Sequence, residues 1–133
     1  MSATAPSTLV TGVDFVSIPT RDLDAAVAFY GTTLGLHHSV HRPEHGFAEF
    51  ETGTVTLNVV DPVRMGIGTF AANTNALALQ VPDVPAARAE LETRGVAFHG
   101  DVVDTGVCHM AFLSDPDGNA LMLHHRYAPR TEG

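Results

Sequence analysis

The chain has 133 residues, 44% of them hydrophobic and 17% charged, with seven basic against 15 acidic side chains and a formal net charge of −8. A globular composition at this length supports one domain with its own core and excludes a disordered tail, a coiled coil and a collagen-like chain. An acidic balance without a basic run argues against nucleic acid or an anionic membrane as partner. The lone Cys108 cannot form an internal disulfide, and no apolar stretch nears the roughly 20 residues of a membrane span.

Residues 1–12 are small and polar at first and read as a flexible arm. They show no basic n-region followed by an apolar h-region, so no signal peptide is read and the expected compartment is the cytoplasm. Val13–Pro19 is a β-rich run. Asp22 is placed to cap a helix in which Leu23, Ala26, Val27, Tyr30 and Leu34 recur at helical spacing, and Gly35 suits the residue after its end. Leu36–Arg42 reads as a strand. Gly46–Glu51 and Thr54–Val60 read as a hairpin around Thr52-Gly53. Residues 61–74, DPVRMGIGTFAANT, form a linker loop, expected to act as a lid or as a dimer contact.

The same order then repeats. Asn75–Val81 is a strand. Asp83 caps a helix with Pro85 in its first turn and Gly95 after its end. Val96–Val103 is a strand, and Val107–Ser114 and Asn119–Arg126 flank the turn Asp115-Pro116-Asp117-Gly118. Residues 127–133 are a tail. Asp22 and Asp83 are 61 residues apart, Gly35 and Gly95 60, and Gly53 and Gly118 65. These spacings predict an α+β domain, residues 13–126, of two βαβββ modules spanning 13–60 and 75–126. Neither module buries both faces of its sheet alone, so the two must pack together. The alternative is an unrelated α+β domain whose spacings coincide.

The runs FVSIPTRDLDAAVAFYGTTLGL, LALQVPDVPAARAELETRGV and FLSDPDGNALMLHH together resemble the vicinal oxygen chelate superfamily, the group of glyoxalase I, extradiol dioxygenases and bleomycin-resistance binding proteins. The resemblance implies one curved open sheet around a central hollow, with the helices outside, and a homodimer. In metal-dependent members the ligands enter the hollow from equivalent strands. The positions carried over are Phe15, Leu57, Ala76 and Met122. None offers an imidazole or a carboxylate, and a thioether suits only soft ions. No metal and no other cofactor is therefore expected.

Eight histidines do not obviously rebuild such a site. His37 and His38, like His124 and His125, point to opposite faces of a strand, and His37 and His41 lie ~13 Å apart at ~3.3 Å per residue. If Asp115 and Asn119 close the last hairpin, His109 opposes His125 and Met110 opposes His124. The first pair either binds a metal or is simply solvated. Alternation lines the hollow with Phe15, Ser17, Leu57, Ala76, Gln80, Met110, Phe112, Met122 and His124, which suits either a partly hydrophobic or aromatic ligand or a filled core. His124 would be an acid/base, a hydrogen-bond anchor or a core histidine. Cys108 reads as a buried thiol. The leading expectation is a metal-free small-molecule-binding protein of the glyoxalase/bleomycin-resistance type. The alternatives are an enzyme of small-molecule metabolism (lyase, isomerase or dioxygenase-like oxidoreductase) using His124, or a metal-dependent glyoxalase or dioxygenase with a relocated site.

Overall fold

A computed structural model describes residues 9–130. The parts of the expected arm and tail at residues 1–8 and 131–133 lie outside the described residues. In chain order the elements are β1 (Phe15–Pro19), α1 (Leu23–Val27) continuing into a π-helical turn (Ala28–Thr33), β2 (His37–Arg42), β3 (Phe47–Glu51) and β4 (Thr56–Val60). After them come α2 (Pro62–Met65), β5 (Leu77–Gln80), α3 (Val84–Thr93), β6 (Phe98–Asp104), β7 (Cys108–Ser114) and β8 (Ala120–Arg126). This is the expected pair of βαβββ modules. The interval 61–74 carries the short helix α2, capped by Asp61, whose side chain accepts from the Arg64 amide.

The strands form two open four-stranded sheets, β1-β4-β3-β2 and β5-β8-β7-β6, with β1–β4 and β5–β8 parallel. The curved sheet is thus two halves: no backbone ladder joins β1 to β5 among the described residues, and both strands border the cavity described below.

The two modules begin alike. Asp22 accepts from the Ala25 amide at 3.1 Å, and Asp83 from the Ala86 amide at 2.9 Å. Each carboxylate satisfies an amide that the first helical turn leaves without a backbone partner. Just before each cap, the Thr20 amide bonds Val60 O and the Val81 amide bonds His124 O. The helices differ in one respect. The π turn gives the first helix one more residue than α3 between cap and terminal glycine, which is why Gly35 and Gly95 are 60 apart where the caps are 61 apart.

Each sheet turns one face to the helices. Ile18, Ala48, Phe50, Leu57 and Val59 from the first sheet, and Ala111, Leu113, Leu121 and Leu123 from the second, join Ala26, Phe29, Tyr30, Val84 and Leu91 in one continuous core. The other face of each sheet is half-buried or exposed, apart from the buried Cys108.

Candidate functional site

Cross-strand register builds the open face of the second sheet. Ala78 pairs with Met122 and Met122 with Phe112; one step along, Gln80 pairs with His124 and His124 with Met110. Paired residues point to the same side, so two rows form: Ala78–Met122–Phe112 and Gln80–His124–Met110. Met110, Phe112, Met122 and His124 are half-buried, and Ala78 and Gln80 are exposed. Strands lie about 4.8 Å apart and alternate residues about 6.7 Å apart, so the two rows cover roughly 10 by 7 Å. Ala76 sits just before β5 and is half-buried.

The first sheet's open face is more polar. Its rows are Phe15–Thr56–Glu51 and Ser17–Asn58–Glu49. Phe15 is 56% exposed. Glu51 accepts from Ser39 Oγ at 2.6 Å and Thr56 Oγ1 at 2.7 Å, and these bonds hold its carboxyl below the usual carboxylate range.

This register corrects one expected position. Leu57 pairs with Val16, not Phe15, and is fully buried on the helix side. The open-face residue matching Met122 is Asn58, since Leu57 pairs with Val16 as Leu121 pairs with Leu77. The β3–β4 connection is one residue shorter than the β7–β8 connection, so an offset of 65 counted from the turn glycines overshoots the strand offset of 64.

With that correction, the four positions where metal-dependent relatives place ligands hold Phe15, Asn58, Ala76 and Met122. The Asn58 Oδ1 is buried with no hydrogen-bond partner. One amide oxygen and one thioether do not make a donor set for Zn, Fe, Mn or Mg. The residues do not fit a divalent ion. No group of three or more His, Cys, Asp or Glu is placed to hold a metal among the described residues.

The histidines are used elsewhere. His109 opposes His125, as the hairpin geometry predicts, but its Nε2 lies 3.4 Å from Asp104 Oδ2. Asp104 also accepts from the Gly106 amide and the Tyr127 hydroxyl; these bonds lower its carboxyl and raise the Tyr127 phenol. A β-bulge between His38 and Val40 shifts the phase of β2, so that His38 and His41, rather than His37 and His41, share a face. Their rings are 5.0 Å apart, and His38 stacks on Phe50 at 4.7 Å. Cys108 is buried, with Sγ 3.0 Å from Thr105 Oγ1.

The turn 115–119 proves more than a turn. The Tyr30 hydroxyl donates to Asp115 Oδ2 at 2.7 Å, and Asn119 Nδ2 donates to the same oxygen at 2.8 Å and to Pro19 O at 2.7 Å. Asp117 accepts from Thr20 Oγ1 and from the Arg21 amide. Tyr30, Thr20, Asp115, Asp117 and Asn119 are all buried, and together they clasp the first module to the second.

A cavity of about 490 Å3 lies between the modules, bounded mostly by helix-side residues, with Ala78 and Gln80 of the open-face rows at the β5 wall. Val16 and Leu57, the turn residues Thr52, Thr54 and Val55, strand β5, and Ala87, Leu91 and Arg94 of α3 line it. Of the expected site residues, only Leu57 and Gln80 reach it; Phe15, Ser17, Ala76, Met110, Phe112, Met122 and His124 do not. The sequence reading assigned Asn58 to the wrong face and missed the clasp and this cavity.

Residues 12–123 match the family described as the Glyoxalase/Bleomycin resistance protein/Dioxygenase superfamily. No curated protein sequence matches the chain. Among solved structures, an antibiotic binding protein, TnmS3, from Streptomyces sp. CB03234 is 29% identical with a TM-score of 0.75, covering 90% of this chain and 99% of that one. A glyoxalase/bleomycin resistance protein from the same organism is 30% identical with a TM-score of 0.69, covering 86% and 100%. A lactoylglutathione lyase from Agrobacterium tumefaciens shares the fold at 19% identity, with a TM-score of 0.75 over 86% and 93%.

Proposed function

The chain belongs to the glyoxalase/bleomycin resistance protein/dioxygenase superfamily, and on that premise we propose that it is a metal-free small-molecule-binding protein that holds a partly hydrophobic or aromatic ligand on its open sheet face. The observation that carries this reading is the pair of adjacent rows Ala78–Met122–Phe112 and Gln80–His124–Met110. Their area, roughly 10 by 7 Å, matches a fused two-ring aromatic. Phe112 offers a ring for stacking, and Met110 and Met122 offer polarizable sulfur. Gln80 and His124 stand side by side at one edge, able to bond a carbonyl or phenol.

The role of His124 in this reading is an anchor. Its register neighbours, Gln80 and Met110, carry no charge that would drive proton transfer. The 29% identical antibiotic binding protein supports binding over turnover. No helix among the described residues is long and apolar enough to cross a membrane, and the acidic chain suits neither nucleic acid nor an anionic surface. The functional unit in this proposal is a cytoplasmic homodimer, in which the second copy covers part of the half-exposed apolar face and the outer edges of β2 and β6.

Titration of 15N-labelled protein with a panel of aromatic antibiotics, bleomycin included, tests the reading. Saturable amide shifts are expected at Ala78, Gln80, Met110, Phe112, Met122 and His124, and Met122→Glu should remove them. Absence of any saturable shift, or shifts that survive Met122→Glu, would reject it.

A further inference from the structure

The clasp and the cavity occupy corresponding places in the two modules. The offset of 61 that relates Asp22 to Asp83 relates Thr20 to Val81 and Tyr30 to Leu91. Backbone bonds support it: the Leu36 amide bonds Tyr30 O as the Val96 amide bonds Leu91 O, each at 3.0 Å. The offset of 64 that relates β4 to β8 relates Val55 to Asn119; ahead of the turn the shorter first connection makes it 63, so Thr52 answers to Asp115, and the Thr52 amide bonds Val55 O as the Asp115 amide bonds Asn119 O. The C-terminal ends of the helices meet near the axis of this internal symmetry, where Arg94 donates to Thr33 O at 2.8 Å; residues 33 and 94 are themselves 61 apart.

At one end, then, the buried phenol ring of Tyr30 fills the gap between modules and bonds a carboxylate. At the other end, each partner in that arrangement is smaller or apolar. Leu91 replaces the phenol, Val55 the amide of Asn119, Val81 the hydroxyl of Thr20 and Thr52 the carboxylate of Asp115. Thr52 stands where Asp115 does, and its hydroxyl is held within its own turn, donating to Val55 O. The 490 Å3 cavity lies at this second end, where Val55, Val81 and Leu91 all line it.

We propose that this cavity is a second binding site, meeting the open sheet face only at Ala78 and Gln80 of β5, for an uncharged aromatic molecule of one or two rings. The ring of Tyr30 shows what chemistry fills the equivalent gap. The walls are mostly apolar: Val16, Leu34, Leu36, Leu77, Leu79 and Ala87, with Val55, Val81 and Leu91. Such walls stay dry and favour carbon over water. The charged lining residues, Glu90 and Arg94, are half-exposed or more and engage each other at 3.0 Å, so they leave no net charge to recruit an ion. The volume lies in the usual range for small-molecule sites.

The test uses 6-propionyl-2-dimethylaminonaphthalene, a neutral two-ring probe whose emission shifts to the blue in apolar surroundings. The intact protein should bind one probe per chain saturably. Ala87→Phe, on α3, and Val55→Phe, on the opposite wall, each fill the cavity and should weaken binding at least tenfold, with circular dichroism confirming the fold. Met122→Glu, on the open face, should change the affinity less than twofold. Three results would overturn the proposal: no saturable binding, affinity unchanged in both filled variants, or affinity lost in Met122→Glu. A site covered by a second copy would also overturn it, and would show as stoichiometry falling with protein concentration. Loss in the filled variants together with an intact antibiotic response on the open face would separate the two sites.

Discussion

Replacing Tyr30 by phenylalanine removes one oxygen and keeps the ring. The ring is fully buried and packs edge-on against Phe29, 5.1 Å between centroids. The lost hydroxyl is one of two donors to Asp115 Oδ2; Asn119 Nδ2 remains, and the Asp117 and Asn119 amides still serve Oδ1. A hydrogen bond to a charged group contributes about 1.5–3 kcal/mol, and the surviving donors place the expected loss toward the lower end. Urea unfolding at pH 7 should therefore show a reduced midpoint at unchanged slope. Burial first, then the bond to Asp115, raises the Tyr30 phenol far above its ordinary range. The native state thus holds the proton that the unfolded chain releases near pH 10. Stability from this group is complete below pH 10 and falls as pH rises further, by about 1.4 kcal/mol per unit. Tyr30→Phe should lose that alkaline slope. An unchanged slope, or a variant as stable as the parent at pH 7, would refute the buried donor role.

Leu121→Ala, in the fully buried helix-side row, should cost about 2–5 kcal/mol by urea unfolding, because its neighbours on β5 and β7 cannot collapse into the gap. The Glu51 side chain, followed by NMR, should titrate below an ordinary glutamate, and Ser39→Ala with Thr56→Val should return it toward normal. The small stability this carboxylate adds is present above its unfolded pKa and fades as pH falls through the native one. Chelator treatment should leave the melting curve unmoved, since Phe15, Asn58, Ala76 and Met122 cannot grip a divalent ion; stoichiometric metal with a melting point that drops in EDTA would restore the metal-enzyme alternative.

Much of the fold was legible because its signals are local. Asp22 and Asp83 announce their helices through a side chain reaching three residues ahead, and the turn at Asp115-Pro116-Asp117-Gly118 sets the pairing of Met110 with His124. Errors arose where one residue enters or leaves without a composition signal. The shorter β3–β4 connection moved Leu57 to the wrong face, and the bulge in β2 turned His38 toward His41. The clasp was illegible for another reason. Tyr30 and Asp115 are 85 residues apart, and nothing in either local pattern names the other. The cavity depends on a comparison of both module ends in three dimensions, which periodicity along a single element does not make.

The uneven joint between the modules gives the molecule a pivot. Parting them at the 115–119 end takes from Asp115 and Asp117 the donors that Tyr30, Thr20 and the Arg21 amide supply, a cost of about 1.5–3 kcal/mol for each hydrogen bond to a charged group. Parting them at the Thr52–Val55 end wets apolar surface that already borders empty space. The lowest-energy breathing therefore swings about the turn 115–119 and opens the far end, well below the free energy of global unfolding. Hydrogen exchange should consequently be faster in the Val81 and Val55 amides than in those of Asp117 and Asn119, and a guest at the open end would travel in and out with the swing while the locked end stays shut.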